Sequence, residues 1–120
     1  MKKYTLYVGL NDKDSKVQKV DTLEAFKLIE NLCTSYTDGA TIFEAKGVYK
    51  HENGAVVWEN TFKIELLFVD ITTVKEIANT LKRLLNQESI ALTIEEIQDS
   101  VEKVLIDYRL DIYSLINNFH

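Results

Sequence analysis

The chain carries twelve lysines but only two arginines, Arg83 and Arg109, and the second stands inside the segment DYRLDIY. A guanidinium is planar, forks to two phosphate oxygens at once and stacks on rings, so it suits a ligand that joins an anion to an aromatic base. Arg109 and Tyr113 are four residues apart, which on a helix puts them on one face, and Tyr108 begins the adjacent stripe. A plainer reading stands beside this one. Arg109 can pair at the surface with Asp107 or Asp111 while its stem covers an apolar seam. Arg83, beside Asn86, is the second candidate cation. In TDGA, the backbone N–H groups around Gly39 and the hydroxyl of Thr41 offer a further anion cradle, against the alternative of a plain Asp-Gly turn.

Other reactive residues are sparse. His51 and His120 are far apart, with no cysteine pair to complete a metal site. Cys33 stands at a predicted helix end without an evident basic partner, which favours a buried thiol over a nucleophile. The four glycines form no phosphate-binding fingerprint, and Glu95 and Glu96 read as a solvated surface. These patterns point to a binding protein without cofactor or metal, and not to an enzyme.

A formal charge of −5 disfavours duplex DNA as a partner, since that binding neutralises phosphates with a basic face. No apolar run reaches the roughly 18 residues of a membrane span, and MKKYTLYVGLND reads as a first strand and not as a leader. The single cysteine is consistent with a reducing cytoplasm.

Elements must position these residues. KYTLYVGL alternates Tyr4, Leu6, Val8 and Leu10 against Thr5, Tyr7 and Gly9, the period of a half-buried strand. DTLEAFKLIENLC is an amphipathic helix with Asp21 as N-cap and Glu24 closing a capping box. TDGA reads as the following turn, in which Gly39 is able to take a positive φ. Two long strands then flank Asn53-Gly54, the favoured dipeptide of a type I′ hairpin. Thr73 and Glu76 are expected to cap a second helix whose stripe is Val74, Ile77, Ala78, Leu81, Leu84 and Leu85. Ile90, Leu92 and Ile94 alternate as a fourth strand, although Thr93 and Glu96 form a competing helix-start pattern. Apolar residues from Val101 to Phe119 recur every three or four positions.

The order β-α-β-β-α-β plus a helix predicts an α+β, ferredoxin-like antiparallel sheet over one domain, residues 1–120, with 98–119 as a C-terminal helical extension. The uncovered sheet face, expected to bear part of Trp58, Phe62, Ile64 and Phe68, calls for a second protomer or that added helix.

Three segments, YTLYVGLND, DGATIFEAKGVYKHENGAVVWEN and NQESIALTIEEI, resemble two groups. One is an uncharacterised bacterial family of small ferredoxin-like domains with an LYxG strand, a DG-T turn and a QES strand start. The other is the first family of phage Thoeris anti-defence proteins. The second resemblance implies a sponge in the cytoplasm of an infected bacterium. It would bind a cyclic ADP-ribose isomer made by TIR-domain enzymes, leave it intact, and assemble as a homodimer or larger set of dimers. Cyclic oligonucleotides are an implied ligand at a second site. Arg109 would grip the diphosphate with Tyr108 or Tyr113 on the base. The competing reading is a small structural or protein-binding domain that inhibits a host protein through its acidic surface.

Overall fold

The computed structural model describes residues 1–98; the expected C-terminal extension, with Tyr108, Arg109 and Tyr113, lies outside the described residues. The elements are β1 (Lys2–Gly9), α1 (Thr22–Tyr36), β2 (Thr41–Lys50), β3 (Val56–Leu66), α2 (Ile71–Leu84) and β4 (Ala91–Glu96). They form one four-stranded sheet in the order β2-β3-β1-β4 with every pairing antiparallel. This is the ferredoxin-like α+β arrangement the periodicity predicts.

Alternation explains which face the helices cover. Leu6 and Val8 on β1 stand beside Ile64 and Phe62 on β3, and all four are fully buried against Ala25, Ile29 and Cys33 of α1 and Val74, Ile77 and Leu81 of α2. Burying a side chain the size of Phe62 or Ile64 contributes about 1.5–3 kcal/mol, so this layer drives the fold. Leu84, assigned to the α2 stripe from spacing, is instead half exposed, because the stripe turns away at the helix end and Leu85 takes the buried place.

Phe62 and Ile64 were expected to contribute to the open face, and the register corrects this: they lie in the core. Trp58 shares their side of β3 but stands beyond the helices, and Phe68 lies past the end of β3. The open face carries Tyr7, Phe43 and Tyr49, each partly exposed, together with Lys3, Lys63, Glu65 and Glu95. Lys3 Nζ lies 3.0 Å from Glu95 and 3.4 Å from Glu65. A charged ladder of this kind lets a sheet face meet water.

Two caps and a turn also differ in detail. Asp21 caps α1 as expected, its carboxylate accepting from Leu23 N–H at 3.1 Å. The cap of α2 is Asp70, which accepts from Thr73 N–H at 2.8 Å, so the helix starts earlier than the Thr73–Glu76 pattern predicted. An aspartate matches threonine as an acceptor and adds charge at the positive helix end. The β2–β3 turn is not type I′. Only Gly54 has positive φ, Gly54 N–H donates to the His51 carbonyl at 2.9 Å, and Asn53 uses its side chain to accept from Ala55 N–H. A left-handed glycine after the turn is the longer-loop solution to strand twist. Gly39 does not take a positive φ.

Candidate functional site

A cleft of about 420 Å3 opens at the end of the sheet where β1 runs out and the β2–β3 hairpin extends beyond it. Its walls come from the loop after β1 (Asn11, Asp12, Lys13, Lys16), from the hairpin arms (Tyr49, His51, Glu59) and from the turn before β4 (Gln87, Glu88, Ser89). The three segments YTLYVGLND, DGATIFEAKGVYKHENGAVVWEN and NQESIALTIEEI therefore meet at one place.

The loop after β1 is stiff for local reasons. Asp12 accepts from Asp14 N–H at 3.0 Å and Ser15 N–H at 2.9 Å through Oδ2, the side-chain turn to which aspartate is suited. Asp12 N–H donates to the Val17 carbonyl at 2.9 Å, and Lys16 is left-handed at φ 64°. The bonds from Ser15 and Asn86 hold the Asp12 carboxyl well below the usual carboxylate range.

The turn before β4 is tied to that loop. Asn86, at φ 47°, donates from Nδ2 to Asp12 Oδ1 at 2.8 Å and to Asp14 Oδ2 at 2.9 Å. Gln87 is buried and donates from Nε2 to the Asn11 carbonyl at 2.8 Å. Asn86 stands beside the candidate cation Arg83 in the sequence and is a candidate ligand contact with it; the structure gives its amide to two carboxylates at the edge of the cleft.

Glu59 is the group spacing did not single out. Gly9 and Gly47 flank it on β1 and β2, and a Cβ at Gly9 would fall on the Glu59 carboxyl group. Glycine inside a strand marks such a close approach. Glu59 Oε2 accepts from Asn11 N–H at 2.9 Å. Tyr49 meets His51 edge to face, with ring centroids 5.4 Å apart. The cleft thus has an acidic floor at Glu59, lysines Lys13 and Lys16 along one wall, and an aromatic edge.

Among the described residues, the other predicted positions do not join it. Arg83 is exposed near the end of α2, its carbonyl accepting from Asn86 N–H at 3.3 Å. Gly39 and Thr41 lie at the opposite end of β2, lining a separate cleft of about 430 Å3 with Asp38, Glu65 and Phe68. Gly39 N–H there donates to Thr37 Oγ1 at 3.2 Å. Among the described residues, no three His, Cys, Asp or Glu side chains gather as a metal site, and no helix is long and apolar enough to cross a membrane.

Comparison with solved structures supports the fold. A phage SAM lyase in complex with S-methyl-5'-thioadenosine superposes with a TM-score of 0.60 at 22% identity, covering 79% of this chain and 80% of that one. A phage SAM lyase in the apo state gives 0.62 at 22% identity over 82% and 84%. The divalent ion tolerance protein CutA1 from Ehrlichia chaffeensis gives 0.52 at 16% identity over 88% and 92%. No curated protein matches the chain. Residues 3–101 match the family described as protein of unknown function DUF3574, a span holding all of the sheet but Lys2 and every wall of the cleft, and the chain belongs to that family.

Proposed function

We propose that this protein binds a cyclic ADP-ribose isomer and sequesters it without cleavage, acting as a phage anti-defence protein against Thoeris immunity. The observation that carries the reading is the convergence of the three resembling segments on one cleft, where Glu59 lies on the floor and Lys13 and Lys16 stand beside Asp12 on the loop after β1. A cyclic ADP-ribose isomer presents ribose hydroxyls, a diphosphate and a base together. Glu59 offers an acceptor for hydroxyls, Lys13 and Lys16 offer charge for phosphate, and Tyr49 offers a ring edge. In this reading Arg109 completes the grip on the diphosphate, with Tyr108 or Tyr113 on the base. The likeness to a phage lyase that holds a thioadenosine adds an adenosine ligand on the same fold.

In the same reading the protein works as a homodimer or larger assembly. Trp58 is 66% exposed, and Val48, directly across from it, and Val56 are exposed as well. An apolar group of this kind at a hairpin end is costly in water. Light scattering at micromolar concentration is expected to give at least a dimer, and a monomer overturns the assembly.

A second reading has one observation in its favour. Glu59 is a half-buried carboxylate in a fold shared with a lyase, so a group able to move a proton is present. Mass spectrometry of molecules released by heating the protein, after incubation with a cyclic ADP-ribose isomer, separates the two. Intact ligand at one equivalent per site supports sequestration; steady turnover to a linear product overturns it. In calorimetric titration Arg109→Ala is expected to lose thirtyfold or more in affinity, on the order of 2 kcal/mol. Arg109→Lys, which keeps the charge but not the fork, should fall short of full binding, and wild-type affinity in both removes Arg109 from the site.

A further inference from the structure

We infer that Glu59 reads the ribose of a bound nucleotide by accepting hydrogen bonds from its hydroxyls, an inference that rests on the cleft being a nucleotide site. On the open face Gly9 stands opposite Thr61, Ala45 stands on the other side of Thr61, and Gly47 stands opposite Glu59. The floor around the carboxyl group is therefore made of glycine, alanine and threonine. The acid occupies space that any larger residue at position 9 would fill.

Its two oxygens differ. Oε2 is held at 2.9 Å by Asn11 N–H, while Oε1 has no hydrogen-bond partner and no cation at ion-pair distance among the described residues. Asn11 is itself fixed, because its carbonyl accepts from the buried Gln87 at 2.8 Å. A carboxylate pinned at one oxygen and open at the other is a preorganised acceptor.

An acceptor-only group selects donors and repels phosphate. Oε1 keeps its lone pairs for ribose hydroxyl donors, the contact by which an acidic residue holds the ribose 2′-OH in dinucleotide-binding folds. Lys13 and Lys16 lie on a different wall of the same cleft. Glu59 on the floor and the two lysines on the loop after β1 suit a ligand whose hydroxyls and phosphates are themselves separated.

NMR titrations of the full chain with adenosine 5′-monophosphate and its 2′-deoxy and 3′-deoxy analogues test this, alongside calorimetry with a cyclic ADP-ribose isomer. The wild-type protein is expected to favour the ribonucleotide over at least one deoxy analogue by about tenfold, the scale of a charge-assisted hydrogen bond. Glu59→Gln keeps an acceptor for Asn11 N–H, so the fold persists; it should weaken the ribonucleotide about tenfold and erase the preference. Equal binding of all three nucleotides, or an undiminished preference in Glu59→Gln, overturns the ribose assignment even if the cyclic ligand binds. A ribose preference without cyclic ADP-ribose binding leaves the assignment standing and overturns sequestration. No binding by any ligand overturns both.

Discussion

Asn86 Nδ2 lies 2.8 Å from Asp12 Oδ1, a contact between residues 74 positions apart that fastens the turn before β4 to the loop after β1. Asn86 also tolerates the left-handed backbone at φ 47° that this turn imposes. Asn86→Ala removes the amide and strains the backbone, and is expected to cost about 1–3 kcal/mol in denaturant melts. Asn86→Gly relieves the strain without restoring the amide, so it should fall between wild type and Asn86→Ala. Equal stability of the wild type and both variants would show that the clamp contributes nothing.

The same clamp fixes a pH dependence. The Asp12 carboxyl is held below its ordinary value, chiefly by the Ser15 N–H and then by the Asn86 amide. Its folded value lies below the unfolded one, so the stabilisation is complete well above about pH 4 and is lost as pH falls toward the folded value. Melting temperature should decline more steeply below pH 4 in wild type than in Asp12→Asn. Parallel profiles would remove Asp12 as the source.

Gly9 is reserved for the Glu59 side chain. Gly9→Ala places a methyl group where the carboxyl lies, and the flexible end of Glu59 must move aside. The fold should survive with a small change in melting temperature, while nucleotide affinity falls about tenfold, as for Glu59→Gln. The double variant should lose little more than either single one, since both act on the same group. Full additivity would mean that Gly9 serves something other than Glu59.

Cys33 is 1% exposed between α1 and the sheet, and burial pushes its thiol up to about 11. A buried thiol with so small a thiolate fraction is a poor nucleophile. A disulfide reagent at pH 8 should modify it only as fast as the protein unfolds, with rapid labelling in denaturant. Fast labelling of the folded protein would contradict the burial.

Local pattern determined much of this molecule. Periods of two and 3.6 residues gave β1 to β4 and both helices in order, because each element must turn one apolar face to a common core, and Leu6, Val8, Ile29, Ile77 and Leu81 lie there. Asp21 was legible as a cap, since capping is settled within a few residues. The cap of α2 was not, because Asp70 and Thr73 both offer suitable oxygens and the start of the helix decides between them. Assigning Phe62, Ile64 and Trp58 to a face needed the register of β3 against β1, and their different exposures needed the lengths of the helices. Only the tertiary structure decided the cleft. Gly9 and Gly47 are visible in the sequence, but nothing local says that the Glu59 carboxyl fills the space they leave. Gln87 reaches Asn11 across 76 positions, and a contact of that range has no period to betray it, being set by where the folded sheet brings two loop ends together.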